Sequence, residues 1–224
     1  MSWSAHLYGN GKSGSEGIEG LVQQLSKRIG ILKKVTLMMK KPQLKSVIEG
    51  IFNSKLIYGI QLFCNTWGIA PQDETNRRYT AFTKDDLRRL QVLQNITLRL
   101  QTKLPRHTPT DQLLQASSNL SVHQLGALHT LTLTHKTINS QKPEYLASQL
   151  RGQDHGDEGP LSHRHQGKLQ VRKCKNTITR SGLVYRSCKL WNMLPADLRE
   201  ESILPQFKVK VKAWVKMNIG QKPP

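Results

Sequence analysis

Residues 183–195, LVYRSCKLWNMLP, carry an amphipathic helical pattern. Leu183, Ser187, Leu190, Trp191 and Leu194 recur at steps of three and four, the spacing that aligns side chains on one face of an α-helix. Arg186 and Lys189 lie off that stripe. Pro195 closes the segment, because proline does not readily continue a helix. The expectation is a short amphipathic helix anchored by a buried Trp191.

Downstream, a last helix starts after Ser202, with Pro205 tolerated in its first turn. Phe207, Val211, Trp214 and Val215 form its apolar face, and Lys208, Lys212 and Lys216 form a basic stripe. Upstream, no acidic residue occurs from Gly159 to Ala196, while the same span carries Arg172, Lys173, Lys175 and Arg180. Leu169–Val171 and Thr177–Thr179 alternate enough to suggest two short strands, a candidate β-hairpin. Residues 151–168 are rich in Gly and charge and lack periodicity, which predicts a flexible linker.

The chain before the linker reads as helical over 18–150, behind a Gly/Ser-rich loop at 1–17. Ile18, Leu21, Val22, Leu25, Ile29 and Leu32 form one stripe, with Lys27, Lys33 and Lys34 off it. Pro42 marks a break, and a second helix from Gln43 carries Leu44, Val47, Ile48 and Ile51. Leu56–Ile60 is apolar all round and is expected to be buried. Thr83 caps a further helix with Asp85 and Asp86 in its first turn, followed by a stripe of Leu90, Leu93, Ile96 or Thr97, and Leu100. Short helices follow from Thr110 and over Pro143–Leu150. Between them, a helix runs from a Ser121/Gln124 capping box to Ile138. The fold class is therefore mainly α. It comprises a helical bundle over 18–150, a linker over 151–168 and a small basic C-terminal module over 169–224, with one short hairpin.

Several strings share a family likeness. Tyr185-Arg186, Lys189-Leu190-Trp191-Asn192, Leu194-Pro195 and Phe207-Lys208 resemble the C-terminal end of non-LTR (LINE-type) retrotransposon reverse transcriptases. In that family a Leu-Trp-Asn-x-Leu-Pro motif precedes a last helix opening on Phe-Lys. Lys27–Leu32, Ile51-Phe52 and Leu56–Gly59 resemble the thumb helices of these polymerases, and Leu90–Asn95 resembles a segment just after the thumb. The likeness runs from Gly20 to Trp214 and is strongest at 27–68 and 180–208. It implies the thumb and post-thumb region of an RNA-directed DNA polymerase, without fingers or palm.

Composition agrees with a polyanionic partner. The chain has 224 residues, 34 Lys and Arg against 15 Asp and Glu, and a net charge of +19. Aromatic residues make up only 6%, so contacts to nucleic acid are expected at the backbone rather than by base stacking. The candidate binding residues are Lys27, Lys33, Lys34, Arg172, Lys173, Lys175, Arg180, Lys208, Lys212 and Lys216. Trp191, Asn192, Leu194 and Pro195 are expected to serve packing. Cys64, Cys174 and Cys188 are scattered and odd in number, which suggests free thiols in a reducing compartment. No apolar run approaches a membrane span and the N-terminus lacks a signal-peptide pattern, so an intracellular site, nuclear or cytoplasmic, is expected.

Catalytic chemistry is not expected in this chain. A reverse transcriptase holds two metal ions on palm carboxylates in an aromatic-x-Asp-Asp hairpin. Asp85-Asp86 sits one residue too far from Phe82 and at a helix N-terminus. The resemblance implies Mg2+ only in a complete polymerase. His163, His165, Cys174 and Cys188 have spacings that fit no standard zinc finger. There is no Gly-x-Ser-x-Gly, and Gly9–Ser13 lacks the first glycine of a phosphate loop. The expectation is a palm-less polymerase fragment that binds RNA or RNA–DNA duplex and is inactive alone. The alternative is a non-enzymatic helical interaction or RNA-binding protein derived from such an element, its last helix serving as a partner or membrane-surface element.

Overall fold

The computed structural model describes residues 13–63, 84–151, 167–171 and 182–219. The protein is mainly α-helical, and no strand occurs among the described residues. Leu169–Val171, the expected first strand of the hairpin, is not helical and is not paired as a strand; Thr177–Thr179 lies outside the described residues.

Contacts divide the chain into two compact units. The described part of the first spans 13–63 and 84–122; that of the second spans 123–151, 167–171 and 182–219. The helices at 123–151 belong to the same compact unit as the C-terminal helices. The reason is their apolar face: Ala127 and Leu131 are buried against Trp191, Leu194 and Phe207.

In the first unit, α1 (Ser13–Val35) starts five residues before the expected boundary at Ile18. Ile18, Leu21, Leu25, Ile29 and Leu32 are buried, as the spacing predicts. α2 (Lys41–Ile48) opens on Lys40, with Pro42 in the first turn, where its missing N–H costs nothing. α2 runs through a widened π-turn (Glu49–Asn53) into α3 (Ser54–Phe63). The Arg28 guanidinium of α1 donates to the Ile51 carbonyl in that π-turn.

α1 packs on α3 and on α4 (Lys84–Thr102). Gly59 lets α3 approach: a Cβ there would fall 2.3 Å from a Leu21 methyl. Leu56, Gly59 and Ile60 are buried, but Tyr58 is 58% exposed, with Lys55 over its ring. The all-round apolar reading of 56–60 is thus corrected: a phenol tolerates water at its polar tip.

α4 departs further from expectation. Leu90, Gln94, Asn95, Thr97 and Leu98 are buried, whereas Leu93, Ile96 and Leu100 are only half-buried. Gln91 donates to Gln94 (2.8 Å) and to Asn95 (3.0 Å). Asn95 donates to the Thr110 hydroxyl at the start of α5 (Thr110–Ser117), and Gln94 donates to the Leu120 carbonyl. The Val122 N–H donates to the Gln91 carbonyl oxygen. The amides satisfy one another and the backbone after α5, which is what allows them to be buried.

The second unit contains α6 (Val122–Ser140), α7 (Glu144–Arg151), α8 (Leu183–Met193), α9 (Ala196–Arg199) and α10 (Leu204–Asn218). Its core joins Ala127 and Leu131 of α6 to Leu190 and Trp191 of α8 and to Phe207, Val211 and Val215 of α10. His135 stacks on Phe207 at 4.0 Å and is tilted against Trp191. Its Nε2 lies 2.7 Å from the Glu201 carbonyl. A carbonyl only accepts, so that nitrogen carries the proton. The Gln124 amide donates to the Ile219 carbonyl at the end of α10.

Candidate nucleic-acid interface

The LWNMLP residues form an anchor rather than a contact surface. Trp191 and Leu194 are buried in the core of the second unit. The indole N–H of Trp191 donates to the Gly167 carbonyl at 2.8 Å. Gly167 has φ +68°, a backbone conformation that favours glycine. Asn192 brackets Leu169: its carbonyl oxygen accepts the Leu169 N–H and its amide donates to the Leu169 carbonyl, both at 2.8 Å. One side chain thus imitates a strand partner. Pro195 is exposed and opens α9, its carbonyl accepting from Leu198 and Arg199.

Arg186, read from the spacing as off the buried stripe, is itself buried, together with Ser187 and Cys188. The correction follows from α7: Leu146 and Leu150 cover Cys188, so α8 is enclosed on more than one side.

The candidate lysines lie on two separate helices, each in its own unit. On α10, Lys208, Lys212 and Lys216 are exposed, one residue round from the buried line of Phe207, Val211 and Val215. With a rise of about 1.5 Å per residue they make a line of charge about 12 Å long. Among the described residues none of the three is ion-paired with a carboxylate. Lys210 on the same helix is different: it is paired with Glu201, whose carboxyl it holds below the usual range. Lys208 also reaches α6. There, burial first and the Lys208 charge second push the His129 pKa down.

On α1, Lys27, Lys33 and Lys34 are exposed. Lys27 and Lys34 are seven residues apart, close to two turns, and share the edge away from the core. Lys33 and Lys34 stand in the last turn, where they also complement the helix dipole. Lys40, which caps the start of α2, and Lys45 within it are exposed as well. Arg172, Lys173, Lys175 and Arg180 lie outside the described residues.

Asp85 and Asp86 occupy the first turn of α4, as the helix-terminus reading expects, and Asp86 lies 3.9 Å from Arg89. His163, His165 and Cys174 lie outside the described residues, and Cys188 is buried. Among the described residues no helix is long and apolar enough to cross a membrane. Comparison of the chain with protein-family models, with curated proteins and with solved structures gave no match.

Proposed function

We propose that this chain binds RNA or RNA–DNA duplex through basic helical faces. In this reading it is the thumb and post-thumb region of a non-LTR retrotransposon RNA-directed DNA polymerase, without fingers or palm. It acts inside the cell, in nucleus or cytoplasm, and does not polymerise alone. Mg2+ belongs to the missing palm. The observation that carries the reading is the lysine line on α10. The apolar face of that helix is committed to the core, while Lys208, Lys212 and Lys216 remain exposed and, among the described residues, are not ion-paired with a carboxylate. Such a line fits a phosphate backbone and reads no sequence.

The test is fluorescence anisotropy of a labelled RNA–DNA hybrid across a salt series. The affinity is expected to fall linearly on a log–log plot. The triple change Lys208→Gln, Lys212→Gln, Lys216→Gln is expected to flatten the slope by about 2 to 3, because each lost phosphate contact removes about 0.9. A wild-type affinity that does not change with salt overturns the proposal. So does a triple variant whose slope matches wild type.

One observation favours a second reading, a helical interaction protein derived from such an element. Val209 and Met217 are 72% and 65% exposed, and with Ala213 they form a second apolar line on α10. A single defined partner in a pull-down, lost on Val209→Ser with Met217→Ser, would favour it.

A further inference from the structure

The turn between α1 and α2 leaves two large aliphatic side chains almost wholly in water. Leu37 is 89% and Met38 is 91% exposed. The turn is nevertheless ordered by its own backbone. The Leu37 N–H donates to the Lys34 carbonyl and the Met38 N–H to the Val35 carbonyl. The Thr36 N–H and hydroxyl both donate to the Leu32 carbonyl. Opposite, the Lys40 N–H is taken by the Gln43 side chain.

The charge around this tip is predominantly positive, with Glu49, one turn beyond Lys45, the next carboxylate along the chain. No carboxylate occurs from Gly20 to Ile48. Lys33, Lys34, Lys40 and Lys45 are all exposed around the base of the turn. Lys33 and Lys34 stand in the last turn of α1, four and three residues before Leu37 in the chain. Apolar side chains flanked by lysines are the arrangement of an interfacial segment, whose apolar groups lie about 5–10 Å into the headgroup–acyl boundary with the lysines at headgroup level.

We propose that the turn at 36–40 inserts into an anionic lipid surface, with Leu37 and Met38 entering the interface and the four lysines facing lipid phosphates. The same ring of charge fits nucleic acid, but three features favour lipid. Leu37 and Met38 offer no ring to stack on a base. The ring is lysine throughout, a set of point charges without the bidentate fork of arginine; Arg28 is spent on the Ile51 carbonyl. The N–H groups of Leu37 and Met38, the two residues that would enter the interface, are already paired with protein acceptors, so burial there orphans neither donor. The inference does not rest on the nucleic-acid reading, whose lysine line lies on α10.

The experiment is co-sedimentation of the full chain with phosphatidylcholine vesicles, with and without phosphatidylserine. Wild type is expected to pellet with the anionic vesicles only. Leu37→Ser with Met38→Ser should reduce partitioning by about tenfold or more, since several buried methylenes are lost. Both side chains are exposed, so the variant keeps its core; a far-UV circular dichroism melt checks this. Hybrid affinity in the anisotropy assay should be unchanged. In a Leu37→Trp chain, brominated lipid should quench the new indole beyond the wild-type signal. Equal pelleting of wild type and the double variant overturns the proposal, as does failure of wild type to pellet with anionic vesicles. Loss of hybrid binding in the double variant with vesicle binding intact would make the turn a nucleic-acid wedge instead.

Discussion

The two units are held together by different chemistry. In the first, α1 presents a clean aliphatic stripe, yet α4 answers it with Gln94, Asn95 and Thr97 among its buried residues. Their amides tie α4 to α5 and to the Leu120 carbonyl. In the second, Trp191, Phe207 and His135 form a ring cluster, and the polar atoms at its rim fasten the segment 167–171. An apolar cluster loses stability in proportion to the volume removed, whereas an amide cluster loses it when one partner leaves another unsatisfied. Substitution separates the two modes.

The largest effect is expected at Trp191. Trp191→Ala removes a buried indole from the core of the second unit together with its hydrogen bond to the Gly167 carbonyl, at a cost of about 3–5 kcal/mol. Urea denaturation followed by far-UV circular dichroism measures it. Trp191→Phe keeps most of the apolar contact and loses only the N–H donor, so its cost should be smaller, about 1–2 kcal/mol. If the two variants were equally destabilised, the hydrogen bond to Gly167 rather than the packed ring would be the anchor, and the contrast between units would collapse.

Gln94 comes next. Gln94→Ala leaves the buried Leu120 carbonyl without its donor and the half-buried Gln91 amide with Asn95 alone, for an expected loss of about 1–3 kcal/mol. Equilibrium unfolding against wild type checks it, and a neutral outcome would show that water replaces the amide.

Legibility in the sequence followed the same division. The stripe of α1 and the Phe207, Val211, Val215 line of α10 were readable because aliphatic and aromatic residues at helical spacing have one economical use, which is burial. The Leu-Trp-Asn string was legible as a packing anchor at Trp191 and Leu194. The role of Asn192 was not, because a side chain that imitates a strand partner leaves no periodic trace. The face of α4 was misread for a related reason: periodicity ranks glutamine as a surface residue unless its partners are known, and Leu120 lies 26 residues away. The partition at Val122 was hidden as well. Ala127 and Leu131 advertise a buried face but not which helices cover it. Of the candidate binding residues, the lysines of α1 and α10 were readable as exposed because they lie off their apolar stripes. The positive charge at Lys40 and Lys45 rests on an absence, since no carboxylate occurs between Gly20 and Ile48, and an absence carries no motif.

The smallest effect is a pH dependence confined to the second unit. Burial pushes the His123 pKa down from 6.5 to about 4. Between those values the unfolded chain binds a proton that the folded chain refuses. The stability contributed by the neutral ring is therefore complete above pH 6.5 and is lost progressively as pH falls toward 4. His129 is shifted in the same direction, by burial and by Lys208, so His123 carries only part of the slope. Glu201 is lowered by Lys210, so its contribution is lost as pH falls through the usual carboxylate range and below it, and measurements between pH 7 and pH 5 report mainly the imidazoles. His123→Gln, which cannot titrate, should narrow the difference in urea midpoint between pH 7 and pH 5 without abolishing it. An unchanged difference would mean that protonated His123 is accommodated by a small rotation toward solvent. It would also assign the acid sensitivity of the unit to His129 beside the lysine line of α10.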